Sequence, residues 1–159
     1  MQFIDLKHQY QTLQPRIDQA IQKVLNHGQY IQGPEVFELE TKLTSYSGTK
    51  YCVSCSSGTD ALLMSLMAQG IGPGNAVFTT PFTFIATAEV IQLLGATPIF
   101  VDILDSTFNI DPRKLEIAIN ECQFKKDGLI SKAIIPVDIF GLPADYEMIE
   151  EIGNKFNLC

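Results

Sequence analysis

Positive charge is scarce in this 159-residue chain. Arg16 and Arg113 are its only arginines, and the net charge is −7. No basic face is available to neutralise a nucleic-acid backbone. Long apolar runs are also missing: nothing approaches the ~20 apolar residues of a membrane span. The opening Met1-Gln2-Phe3-Ile4-Asp5-Leu6 lacks the charged region and apolar stretch of a secretory signal. The expectation is a soluble cytoplasmic protein with neither nucleic acid nor membrane as partner. His8 and His27 are singletons, and Cys52, Cys55, Cys122 and Cys159 are too few to staple a chain of this length. Cys52 and Cys55 form one C-x-x-C, but a zinc ribbon needs a second pair, so no metal site is expected. As thiols they read either as buried groups at a strand end or as a redox pair near a helix start. Neither G-x-G-x-x-G nor G-x-x-x-x-G-K-[ST] occurs, which argues against dinucleotides and nucleoside triphosphates.

What is present is a sheet-and-helix alternation. The chain opens with a lone strand or extended arm, Phe3 to Leu6. A helix follows with Ile17, Ala20, Ile21, Val24 and Leu25 on one stripe, ended by Gly28. Pro34 and Glu35 suit the first turn of a second helix bearing Val36, Leu39, Leu43 and Tyr46. From residue 51 the pattern predicts strand 51–55, helix 59–69, strand 76–79, helix 85–94, strand 98–103 and a helix opened by Asp111-Pro112. A Lys-rich connection from Gln123 to Gly128 leads to strand 133–137, and a last helix carries Met148, Ile149, Ile152 and Phe156. Short apolar strands separated by helices indicate α/β architecture, a parallel sheet with helices on both faces. The chain stops after a helix, where the alternation expects another strand; truncation of a longer domain is the expectation.

The most informative stretch is Cys55-Ser56-Ser57-Gly58-Thr59-Asp60. A chain that turns through Ser-Ser-Gly-Thr straight into a helix presents free backbone N–H groups at the positive end of the helix dipole, a site for an anion. Ser57 and Thr59 add hydroxyl donors, and Gly58 permits close approach. The same residues also read as a plain helix cap. Two further motifs follow strands: Thr79 to Glu89, and Pro136-Val137-Asp138-Ile139-Phe140-Gly141. In open α/β sheets ligands gather at strand C-termini, so these loops are candidate pocket walls. Phe84 there reads either as a stacking platform for a flat ring or as core packing at a helix start.

In order, the runs H-G-Q-Y-I-x-G-P-E-V (27–36), C-x-S-C-x-S-G-T-D-A-L (52–62), G-I-G-P-G (70–74), T-P-F-T-F-I-A-T-A-E (80–89), L-L-G-A-T-P-I-F-V-D-I (93–103) and I-I-P-V-D-I-F-G-L-P-A-D-Y (134–146) resemble the N-terminal part of the DegT/StrS sugar aminotransferases. The resemblance covers essentially the whole chain. It implies a three-layer α/β/α large domain of the aspartate aminotransferase-like type, truncated. Residues 1–50 would be an N-terminal arm and helices, and 51–159 the parallel βα core. It implies pyridoxal 5′-phosphate (PLP) as cofactor, a nucleotide-linked keto sugar (UDP-linked by the nearest stretches) as substrate, glutamate as donor, a role in polysaccharide or glycan synthesis, and a homodimer.

Carried over by position, the resemblance implies that Ser57, Gly58, Thr59 and the backbone of Asp60 hold the PLP phosphate and that Phe84 stacks on its ring. Tyr30 and Asp138 become candidate substrate contacts. In the family, the lysine that bonds the cofactor and the aspartate that keeps its ring nitrogen protonated lie C-terminal to the matched region. No catalytic residue is therefore assigned, and the 159-residue chain alone is expected to be inactive. A non-catalytic phosphate-binding fragment of the same fold is the alternative.

Overall fold

The computed structural model describes residues 3–124 and 128–159, which form two compact units that divide between Ser54 and Cys55. The first unit holds α1 (Leu6–His27) and α2 (Pro34–Ser47). Asp5 caps α1 by accepting the His8 N–H at 2.9 Å, so the helix begins where a strand or arm was expected. Gly28 closes α1 in the left-handed region, its N–H on the Val24 carbonyl, as the sequence predicts. Between the helices the chain folds tightly: a Cβ on Gly33 would stand 2.4 Å from the Gln29 carbonyl oxygen. Only glycine fits there.

Residues 51–55 do not form the expected strand. A strand needs a ladder partner, and the Ser54 N–H and hydroxyl are instead taken by Glu40 Oε1 at 2.8 and 2.7 Å. These two bonds, the backbone one foremost, hold the Glu40 carboxyl below its ordinary range. Cys55 is exposed rather than buried at a strand end, its thiol donating to the Ser57 carbonyl at 3.3 Å.

The second unit contains α3 (Gly58–Ala68), β1 (Asn75–Thr79), α4 (Ala86–Leu93), β2 (Thr97–Phe100), α5 (Pro112–Phe124), β3 (Ile130–Ile135) and α6 (Tyr146–Phe156). The three strands are parallel in the order β2-β1-β3. β2 is shorter than predicted; Ile103 pairs instead with Ile110 in an isolated antiparallel bridge. β3 starts earlier than predicted, and residues 125–127 of the Lys-rich connection lie outside the described residues.

The central strand β1 is buried on both sides, and its side-chain period of two splits the core into two layers. Ala76 and Phe78 join Leu115 and Ile119 of α5 and Ile149 and Ile152 of α6. Val77 joins Leu66 of α3, Val90 and Ile91 of α4, and Ala133 of β3. Helices therefore cover both faces, as the apolar strands require. Met148, expected on the apolar face of α6, is exposed; Ile149, Ile152 and Phe156 at i, i+3 and i+7 form the packed stripe. Among the described residues, no helix is long and apolar enough to cross a membrane.

Candidate cofactor-phosphate site

A short turn, Gln69 to Gly74, joins the end of α3 to the start of β1, and α3 packs back along the sheet. Eleven helical residues and five strand residues each span about 16–17 Å. The start of α3 is therefore level with the end of β1, where the loop to α4 carries Phe84. Both candidate cofactor elements sit on the rim of the sheet formed by the strand C-termini.

Ser57 is the extended N-cap of α3, and its Oγ accepts the Asp60 N–H at 3.1 Å. The Ser57 hydroxyl donates in turn to Asp60 Oδ2 at 3.0 Å, and the Ser56 hydroxyl donates to the same oxygen. These bonds, Ser56 first, hold the Asp60 carboxyl below its ordinary range, so it is ionised at neutral pH. The cap thus consumes the Asp60 N–H, which the resemblance had assigned to the phosphate, and engages the Ser57 hydroxyl. The N–H groups of Gly58 and Thr59 and the Thr59 hydroxyl have no partner among the described residues. A Cβ on Gly58 would meet nothing within 4 Å, and its φ is not in the left-handed region. Neither packing nor backbone geometry within the chain calls for glycine here.

Phe84 is 70% exposed, which removes the core-packing reading. Its loop is fixed from beneath: Thr79, fully buried, donates to the Ile135 carbonyl at 2.9 Å, Thr80 Oγ1 accepts the Phe82 N–H at 3.1 Å, and Thr83 and Thr87 share a 2.9 Å hydroxyl bond. The ring faces solvent, above a loop held by these hydrogen bonds.

Asp138 follows β3, and both its carboxylate oxygens are committed within the chain. Oδ1 accepts the Ala144 N–H at 2.8 Å and Oδ2 the Tyr146 hydroxyl at 3.1 Å. Burial, then this bond to Asp138, pushes the Tyr146 phenol above its ordinary value. Asp138 ties down its own loop. Tyr30 belongs to the first unit, on the 28–33 turn, and is 68% exposed. His27 braces that turn: Nδ1 accepts the Gln29 N–H at 3.0 Å, which leaves Nε2 to donate to Glu35 at 3.1 Å.

Sequence reasoning missed the aromatic furnishing of the rim. Phe82 follows β1, Phe108 follows β2 and Phe140 follows β3; their ring centroids lie 5.6, 5.7 and 6.0 Å apart. Phe108 holds φ +63°, an uncommon conformation for a bulky residue. The next residue, buried Asn109, donates its amide to the Leu142 and Pro143 carbonyls at 3.0 and 3.1 Å, joining two rim loops more than thirty positions apart. No periodicity marks such a clamp.

Residues 11–159 match the DegT/DnrJ/EryC1/StrS aminotransferase family. The chain is 49% identical over 158 residues to the UDP-2-acetamido-2-deoxy-3-oxo-D-glucuronate aminotransferase of Pseudomonas aeruginosa, covering 99% of this chain and 42% of that protein. A crystal structure of a DegT/DnrJ/EryC1/StrS aminotransferase from Brucella abortus superposes with a TM-score of 0.93 at 50% identity, over 99% of this chain and 42% of the other. The Bacillus subtilis protein NtdA, solved with bound PMP, gives a TM-score of 0.82 at 35% identity over 89% of this chain and 31% of its own. The chain thus spans about two-fifths of the length of the curated relative. With its three-layer fold and that match over nearly all its residues, it belongs to the DegT/DnrJ/EryC1/StrS aminotransferase family.

Proposed function

We propose that this chain supplies the phosphate-and-ring-binding part of a PLP-dependent aminotransferase that aminates a UDP-linked keto sugar with glutamate as donor. The observation that carries it is the open start of α3, with two N–H groups that have no partner among the described residues, at and beside a glycine whose side-chain space is empty. The residues present fit the cofactor: Gly58 and Thr59 offer donors to a dianion, and Phe84 offers a flat exposed face to a pyridine ring. When bound, PLP supplies the electron sink through which an amino group is exchanged. The chain's own contribution is binding and orientation. The α3 dipole and the Thr59 hydroxyl anchor the phosphate, Phe84 sets the plane of the ring, and the Asn109 and Asp138 ties keep the rim loops in place. The UDP-linked substrate is supported by the similarity to the Pseudomonas aeruginosa enzyme. A homodimer working in polysaccharide synthesis in the cytoplasm completes the reading, with Tyr30 its proposed substrate contact.

Titration of the chain with pyridoxamine 5′-phosphate, followed by calorimetry, tests the site without covalent attachment to surface lysines. Thr59→Val is expected to weaken both this ligand and inorganic phosphate, whereas Phe84→Ala weakens only the ring-bearing ligand. Equal binding by all three proteins sinks the assignment. For the activity, residues 1–159 joined to the C-terminal remainder of the Pseudomonas aeruginosa relative are expected to consume glutamate with a UDP-linked 3-keto sugar. A folded chimera that binds PLP and leaves glutamate untouched refutes it. The second reading, a phosphate-binding chain without chemistry, draws on the lysines: none occurs between Lys50 and Lys114 or in the loop after β3.

A further inference from the structure

The turn between α1 and α2 is held at both ends by one imidazole. His27 is the last residue of α1, and Glu35 stands in the first turn of α2. His27 Nδ1 accepts the Gln29 N–H at 3.0 Å, and Nε2 lies 3.1 Å from Glu35 Oε2. A ring nitrogen that accepts an N–H carries no proton of its own, so the imidazole proton sits on Nε2 and points at the carboxylate. One neutral tautomer satisfies both partners.

The chain between them is tightly wound. Gln32 has φ +50°, in the left-handed region that residues with a side chain occupy only when their surroundings hold them there. The place a Cβ on Gly33 would take is 2.4 Å from the Gln29 carbonyl oxygen and 3.5 Å from Glu35 Oε2. Among the described residues, the backbone of 29–32 makes no hydrogen bond other than the one from Gln29 to His27. A single bond therefore fixes the segment that carries Tyr30.

The charges around the imidazole decide what a proton does to that bond. Glu35 faces it from α2, and Lys23 comes from the preceding turn of α1, its Nζ 3.1 Å from Glu35 Oε1, close enough to pair by charge but not aligned for a hydrogen bond. Glu38, one turn further along α2, pairs with Lys42. The Glu35 backbone N–H first, then Lys23, hold the Glu35 carboxyl below its ordinary range, so it stays ionised over the range in which an imidazole titrates. A proton added to His27 thus leaves the Nε2 bond to Glu35 in place and gives it charge, at a helix C-terminus where positive charge is favourable. The same proton turns Nδ1 from acceptor into donor, and it then faces the Gln29 N–H donor to donor.

We propose that His27 is a proton-operated clasp on the 28–33 turn: neutral, it fixes Gln29 and with it Tyr30; protonated, it keeps Glu35 alone and releases the turn. Neither the cofactor nor the substrate assignment enters this device; it bears on function through Tyr30, the proposed substrate contact.

The test is NMR of the full 159-residue chain between about pH 8 and about pH 5, where imidazoles change charge. The His27 ring nitrogens are expected to show the Nε2–H tautomer at the alkaline end. As the ring takes up its proton, the Gln29 amide is expected to lose about tenfold in protection from exchange with water, after correction for the intrinsic pH dependence, as one lost hydrogen bond implies. The Tyr30 ring signals are expected to shift with the same midpoint. His27→Asn keeps an acceptor oxygen near the place of Nδ1 and has no proton to gain, so it is expected to hold the turn at every pH. His27→Gln reaches the place of Nε2 instead and is expected to leave Gln29 unprotected throughout. A Gln29 amide that stays protected across the His27 titration overturns the proposal, as does equal protection in the two variants. The wild-type pH response surviving in His27→Asn also overturns it, because another group, such as His8, then moves the turn.

Discussion

The two units bury their apolar residues to opposite degrees. In residues 55–159 a central strand feeds two separate apolar layers, with Val77, Phe78, Val90, Ile91, Leu115 and Ile119 fully covered. In residues 3–54 the helices are longer and as clearly amphipathic, yet Gly33 is the only buried residue, and Ile21 and Leu25 of the α1 stripe are each 54% exposed. The difference shows what a sheet does for a short chain. It offers two faces to fill, whereas a pair of helices shares one seam. A hydrophobic stripe states that a helix has a face to bury; it does not supply the surface that buries it.

The sharpest way to break this comparison is mutation at matched apolar positions. Phe78→Ala is expected to cost about 3–5 kcal/mol of unfolding free energy by urea titration, because a fully enclosed ring leaves a cavity. Ile21→Ala, on the exposed stripe, is expected to cost less than about 0.5 kcal/mol. Comparable losses would mean that α1 has a buried role its exposure hides. Next in size is Asn109→Ala, expected to cost about 1–2 kcal/mol through two lost hydrogen bonds. Hydrogen exchange is then expected to quicken in the loop after β3 and not in the 28–33 turn.

Gly58→Ala comes third. The added methyl meets nothing, and alanine favours a helix more than glycine, so stability is expected to hold or rise by up to about 1 kcal/mol. Binding of pyridoxamine 5′-phosphate is expected to fall in calorimetry, separating a ligand's demand for glycine at Gly58 from the fold's demand at Gly33. The smallest effect concerns acid. The Asp60 carboxyl is held below its ordinary value in the folded chain, so its stabilisation is complete above that ordinary value and is lost as pH falls through the lowered one. The start of α3, followed by the Asp60 amide resonance, is expected to survive to lower pH than an unperturbed carboxylate cap allows. Loss of the cap at or above the ordinary carboxylate value would contradict the bonds to Ser56 and Ser57.

Much of the second unit was legible in the residue order. Apolar runs bounded by Gly and Pro mark β1 and α4, and Asp111-Pro112 reads correctly as a helix start, Asp111 Oδ1 accepting the Arg113 N–H at 2.9 Å. Tyr51-Cys52-Val53 has strand propensity as good as that of β2, yet it is not a strand, because pairing is decided by a partner and Glu40 captured Ser54 instead. At the candidate site, Ser57, Gly58 and Thr59 were readable from the turn chemistry of one local segment. The commitment of Asp138 to Ala144 and Tyr146, and the Phe82, Phe108 and Phe140 cluster, depend on loops that meet only after the strands align.

By itself the order of residues determined the alternation of helices and strands, the two-sided burial of β1 and the turn that opens α3. Each depends on spacing within a dozen residues, where periodicity and capping act directly. Tertiary structure alone decided which N–H groups at that turn lack a partner among the described residues, that Phe84 faces outward, and that Cys159 bonds to Lys132 and Ile134 at the edge of β3. Those outcomes depend on which backbone groups find partners far along the chain, and a hydrogen bond across 27 residues leaves no mark on local spacing.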